Sequence, residues 1–199
     1  MSDSFYSPES RALQERFDSV RLADRLYDAR RHDTLSDDDR ALVQASSFFF
    51  IATANRDGAP DCSFKGGIPG FIAVVANNTL EFPSYDGNGM YRTLGNIRSN
   101  PAVGLLFIDF GNEKRRIRMN GLAKVIEPHE AKAVHHAAEL VVTVILKDIF
   151  PNCPRYIPDG GTGASEYSPR QGYVPPDPFW KSKPDLKEVL PNKELIIKT

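Results

Sequence analysis

E-F-P-S-Y-D-G-N-G-M-Y-R-T-L-G-N-I-R-S-N-P-A-V-G-L-L-F-I-D, residues 81–109, decides how the rest of the chain is read. Residues 81–85 carry aromatic side chains suited to a strand, and Asp86-Gly87-Asn88-Gly89 is turn chemistry. From Met90 the apolar spacing becomes helical, with Met90, Leu94 and Ile97 in register until Asn100-Pro101 stops the run. Residues 103–108 then form a continuous apolar stretch of strand length. The glycines and Asn88 at the bend leave backbone N–H groups open at a helix start, where the dipole favours an anion. Arg92, in the first turn, offers a forked, charge-assisted contact to a phosphate. On these residues alone, an ordinary polar turn with a solvated arginine is the simpler account.

Downstream, residues 103–110 and 115–126 form a hairpin across Gly111-Asn112-Glu113-Lys114. In its second strand Arg116, Arg118 and Asn120 share one face, while Ile117, Met119 and Leu122 mostly occupy the other. Such a polar face is either simply wet or turned toward a ligand. Residues 128–139 read as a helix entered through Glu127-Pro128. The β-branched run L-V-V-T-V-I-L-K-D-I, residues 140–149, reads as a buried strand.

Upstream, F-F-F-I-A-T-A-N (residues 48–55) is a strand that turns at residues 56–60 and returns over 61–65. A glycine-rich loop, 66–70, leads to strands at 71–76 and 79–85 around Asn77-Asn78. Short strands joined by tight turns imply a mainly antiparallel β domain, a barrel or a sandwich, rather than a parallel sheet.

The two ends differ in character from this centre. Residues 8–31 read as one helix, entered through Ser7-Pro8, and residues 36–45 as a second, opened by Ser36 with Asp39 three residues on. This gives an N-terminal helical arm over 1–46 and a β domain over 47–150. Residues 151–199 form a proline-rich extension, with Gly, Ser and Thr concentrated at 159–170 and an extended Val174-Pro175-Pro176-Asp177-Pro178 segment. Both ends are expected to pack on the barrel or on a partner subunit.

With 199 residues, 41% of them hydrophobic, and a formal net charge of −1, the chain has material for one sizeable core. The charge gives no support for a nucleic-acid or membrane surface. No signal-peptide pattern opens the sequence, no apolar run nears the roughly 18 residues of a membrane span, and Cys62 and Cys153 lack metal spacing. A cytoplasmic protein is expected. His129, His135 and His136 invite a metal reading, but adjacent histidines on a helix point about 100° apart and do not converge on one ion. Asp109, Glu113 and Asp37-Asp38-Asp39 read as turn and solvent charges, and no acid–base pair is assigned.

The ordered set F-F-I-A-T, P-D-C-S-F-K-G-G, F-P-S-Y-D-G-N-G-M-Y-R, N-P-A-V-G-L-L-F-I-D and R-I-R-M-N-G resembles the pyridoxamine 5′-phosphate oxidase-like family of flavin-binding split barrels. The resemblance implies an α+β fold built on a six-stranded antiparallel split barrel with flanking helices. It also implies a homodimer with FMN in the cleft between subunits. Carried over residue by residue, it sets Cys62, Ser63, Phe64 and Lys65 along the flavin ring, with Lys65 the basic group near ring or substrate. Ser84 and Tyr85 end a strand facing the flavin and its tail, Asn88 belongs to the bend, and Arg92 is the phosphate arginine. Thr93 stands where the family often has a lysine. Arg116 approaches the ring, and Arg118 and Asn120 are weaker additions from the same face.

The vitamin-processing members' substrate-phosphate cluster has no counterpart in A-K-A-V-H-H-A-A-E, and Pro178-Phe179-Trp180 lacks the Gly-Gly-x-Arg that should follow it. The implied function is therefore an FMN-dependent oxidoreductase on another small molecule. Use of the deazaflavin F420, or non-catalytic flavin or haem binding, are the alternatives. Cys153 is either close to the flavin or a buried small group.

Overall fold

The F-F-F-I-A-T-A alternation seeds the sheet. In the computed structural model, β1 (Phe48–Ala54) buries Phe49 and Ile51 completely and Thr53 almost so, while Phe48, Phe50 and Ala52 point the other way. Residues 5–111, 114–153, 155–158, 165–168 and 171–192 are described. They fall in two compact units, one of residues 32–163 and one of residues 1–31 with 164–199.

The larger unit holds one antiparallel sheet. Besides β1 it contains β2 (Pro60–Gly66), β3 (Ala73–Ala76), β4 (Thr79–Ser84), β5 (Ala102–Ile108), β6 (Arg116–Ile126) and β7 (Leu140–Pro151), in the order β2-β1-β5-β6-β7-β4-β3. Among the described residues this sheet has seven strands, where the resemblance implies a six-stranded barrel. The short edge strand β3 covers only the end of the expected 71–76 segment. Middle residues Asn112 and Glu113 of the expected β5–β6 turn lie outside the described residues, as do Pro154 and most of 159–170.

Phe49 anchors the core, with Phe107 stacked at 5.2 Å, Phe82 edge-on at 5.0 Å and Phe71 at 6.1 Å. Each such fully buried ring contributes about 1.5–3 kcal/mol through apolar burial. Strand β6 follows the alternation seen in the sequence, with Ile117 and Met119 inside and Arg118 and Asn120 outside. Leu122 is a correction: it is 41% exposed and shares the outer face with the arginines, as its even spacing from them requires. At the β6–β7 bulge, Gly121 lies against β7 so closely that a Cβ there would sit 2.3 Å from the Ile145 carbonyl oxygen.

Two helices of this unit pack on the sheet, and the second of them borders the cleft between β2 and β4. In α3 (Asp37–Ala45), Ser36 and Asp39 form the complete capping box expected from their spacing, and Asp39 also contacts His32 Nε2 at 2.7 Å. Helix α4 (Arg92–Ser99) starts two residues later than the Met90 spacing implies. Met90 is 64% exposed, whereas Leu94 and Ile97 enter the core and Asn96 donates from Nδ2 to Thr53 Oγ1 at 3.0 Å.

Residues 128–139 are also corrected. Only Pro128–Glu130 turns, as a short 3-10 helix, and the rest is loop. The backbone N–H groups of Lys132 and Ala133, which a helix would have employed internally, instead donate to the carboxylate of Glu81 in β4, at 3.0–3.2 Å for Lys132 and 3.0 Å for Ala133. The adjacent His135 and His136 are thus not on a helix. Among the described residues no group of three or more His, Cys, Asp and Glu side chains converges on a metal position, and no helix is long and apolar enough to cross a membrane.

In the smaller unit, the single helix expected over 8–31 is two, α1 (Pro8–Arg16) and α2 (Val20–Arg30), separated at Asp18, whose φ is +48°. Ser7 caps α1 as its sequence implies. Arg25 of α2 meets Glu188 at 3.1 Å and the Asp185 carbonyl at 2.6 Å in α5 (Pro184–Lys187) and its flank.

Candidate functional site

Strand β2 is a sheet edge, and its side chains alternate between two surroundings. Asp61, Ser63 and Lys65 are half-buried, whereas Cys62 and Phe64 are exposed. The half-buried face is turned toward α4, because Asp61 Oδ1 lies 3.2 Å from Arg92 NH2. Between β2, the end of β4 and the start of α4 lies a cleft of about 350 Å³, within the roughly 300–1,000 Å³ range of small-molecule sites.

Its lining brings together most of the residues named from the sequence: Cys62, Ser63, Phe64 and Lys65 from β2, Ser84 and Tyr85 from the end of β4, then Asn88, Arg92 and Thr93. The lining draws on segments far apart in the chain: β2 is the edge strand at one end of the strand order, β4 is the last but one at the other, and α4, which links β4 to β5, meets β2 through the Arg92–Asp61 contact.

The bend before α4 is built from identifiable parts. Asn88 Oδ1 accepts the Met90 N–H at 3.0 Å, so this side chain fixes the turn. Gly89 has φ +71° with open space around it. Tyr91 then enters the left-handed region at φ +48°, a strained place for a bulky side chain, and it is the N-cap of α4 without offering any side-chain cap. The first-turn N–H groups of α4 therefore remain open to an external acceptor, with the positive end of the helix dipole behind them. With the Arg92 side chain 58% exposed beside them, these donors suit a phosphate. Thr93, by contrast, is only 5% exposed.

Lys65 is shifted downward from the usual lysine value, chiefly by burial, with the negative charge of Asp61 working against that shift. It is a half-buried ammonium facing a cleft, able to stabilise negative charge on whatever lies along β2. Tyr91 donates its hydroxyl to Glu139 Oε2 at 3.0 Å, which raises the phenol above its usual value. Glu139 also donates its backbone N–H to the Ser84 carbonyl, tying the 131–139 loop to the cleft rim.

Arg116 and Arg118 are not in this cleft. Both project from the outer face of β6, and Arg116 donates to the Cys153 carbonyl. Burial and the neighbouring Arg118 charge lower Arg116 below the usual guanidinium value. Asn120 lies on the same outer face, and Cys153, which receives an Arg155 Nε–H at 3.2 Å, is outside the cleft lining too. Sequence reasoning missed Asp61, Tyr91 and Glu139. Asp61 had a signal, since it lies at the same period-two spacing as Ser63 and Lys65; the Tyr91–Glu139 contact had none.

A family model described as Pyridoxamine 5'-phosphate oxidase matches residues 35–147. No curated protein matches the sequence. Among solved structures the chain is similar to HupZ of Group A Streptococcus, at 16% identity over 66% of this chain and 98% of that one, with a TM-score of 0.47. It is also similar to an F420 reductase, at 18% identity over 58% and 98% with a TM-score of 0.42. A third is a FAD-binding protein from Mesorhizobium loti, at 14% identity over 62% and 99% with a TM-score of 0.41.

Proposed function

The chain belongs to the pyridoxamine 5'-phosphate oxidase family, and from that premise we propose that it is an FMN-binding oxidoreductase acting on a small molecule other than pyridoxamine phosphate. One observation carries this: β2, the end of β4 and an uncapped helix start converge on one cleft with an exposed arginine at the helix's first residue.

When bound, the flavin supplies the electron transfer. This chain's own contribution is positional and electrostatic. Arg92 and the open N–H groups of α4 hold the terminal phosphate, while Asn88 and Gly89 fix the bend that presents them. Lys65 stabilises negative charge along β2, since opposite charge favours an ionised form. Cys62, Ser63, Phe64, Ser84 and Tyr85 make the walls, with Thr93 behind the arginine. One arginine whose charge is already shared with Asp61 suits a single phosphate better than the longer acidic tail of F420.

A homodimer completes the site under this proposal, with Arg116 and Arg118 contributing from the outer sheet face. That face carries exposed apolar residues suited to a second copy. They are Phe64 at 61%, Ile145 at 54% and Leu122 at 41%, the last two being direct cross-strand partners. A cytoplasmic location is part of the same proposal.

The test is to denature the purified protein and weigh the small molecule released. FMN is the expected mass. F420, haem, or failure to take up added FMN contradicts the proposal.

A further inference from the structure

We infer that Asp61 sets the charge preference of the anion position by competing for the Arg92 guanidinium. This rests on the FMN reading given above. The carboxylate is on the cleft-facing side of β2, its side chain is 19% exposed, and its Oδ1 lies 3.2 Å from NH2 of Arg92. The Arg92 side chain is 58% exposed, so guanidinium donors remain accessible to a ligand.

A phosphate held by those donors comes close to a carboxylate of like charge. Two outcomes cost binding energy: either the phosphate takes NH2 from Asp61 and strands a half-buried carboxylate, or it shares the guanidinium and is repelled. Lys65, on the same face of β2, feels the Asp61 charge as well. Asp61 is therefore placed between two cations and offsets one positive charge in the cleft. Its effect is selective. It weakens holding of a doubly charged phosphate terminus and leaves an uncharged hydroxyl terminus nearly untouched.

The opposite role would be that of a positioning residue, with Asp61 pre-orienting Arg92. The exposures argue against it. Arg92 is 58% exposed, which is poor pre-organisation for a long side chain.

FMN and riboflavin differ only at this terminus and make the deciding pair of probes. Both are titrated into the full-length protein, Asp61→Asn and Asp61→Glu at low ionic strength. Asp61→Asn is expected to raise the FMN-over-riboflavin preference about tenfold, through FMN alone. Asp61→Glu, which keeps the charge and controls for folding, is expected to keep the parent's preference. A preference unchanged or lowered in Asp61→Asn overturns the competitor role while the FMN reading stands. A parent protein that takes up neither flavin overturns both.

Discussion

At the scale of single residues, two positions carry consequences that reach beyond themselves. Gly121 is required by a close approach of backbones: any Cβ there meets the Ile145 carbonyl oxygen at 2.3 Å. Backbone cannot yield as a flexible side chain can, so Gly121→Ala should destabilise the fold by about 1–3 kcal/mol. Urea unfolding measures it, and an unchanged midpoint would show that the bulge relaxes freely. Arg92 is the other position. Turn chemistry and helix spacing put it at a helix start, and only the family resemblance gives it a phosphate role. Its ion pair with Asp61 could not be read from the sequence, because nothing in sequence separation says which residue of a hairpin will face a helix that begins two strands later.

Elements tell where sequence reasoning held and where it lost. Strands β1, β5 and β6 were legible because one face of each is buried and the period of two is clean. Helix α3 was legible through its capping box. Residues 128–139 were misread because A-K-A-V-H-H-A-A-E has helical propensity that a tertiary contact overrides: Glu81, 2% exposed, takes the N–H groups of Lys132 and Ala133. The same loop supports a prediction. Glu81→Gln removes the charge that strengthens those N–H bonds and should cost about 1–2 kcal/mol by urea unfolding, an unchanged midpoint contradicting it.

His135 sits inside the same arrangement, its side chain 5% exposed and its Nε2 3.8 Å from Glu81 Oε2, beyond hydrogen-bond length. Burial lowers its pKa, with Glu81 opposing. A lowered folded-state pKa means the unfolded chain binds the proton more readily. The His135 contribution is therefore present above about pH 6.5 and lost as pH falls through the lower folded value. Unfolding midpoints compared between about pH 7 and about pH 5 should fall further for the parent than for His135→Gln. Parallel profiles would refute this account of the loop.

At the largest scale, the unit of residues 32–163 is organised by one sheet whose two faces do different work. Its inner face is the aromatic core around Phe49, and its outer face joins Phe64, Leu122 and Ile145 to the Arg116–Arg118 stripe. A homodimer through that outer face predicts a light-scattering mass of twice the chain, reduced to one chain by Leu122→Asp with Ile145→Asp while circular dichroism stays unchanged. A monomeric parent contradicts it.

The central claim, that Arg92 at the start of α4 holds a flavin's phosphate, is tested most directly by comparing FMN and riboflavin binding to the parent and to Arg92→Ala. Loss of a charge-assisted contact worth about 1.5–3 kcal/mol corresponds to FMN binding weaker by roughly 10- to 150-fold, with riboflavin affected far less. An Arg92→Ala protein that still prefers FMN to riboflavin as strongly as the parent would contradict it.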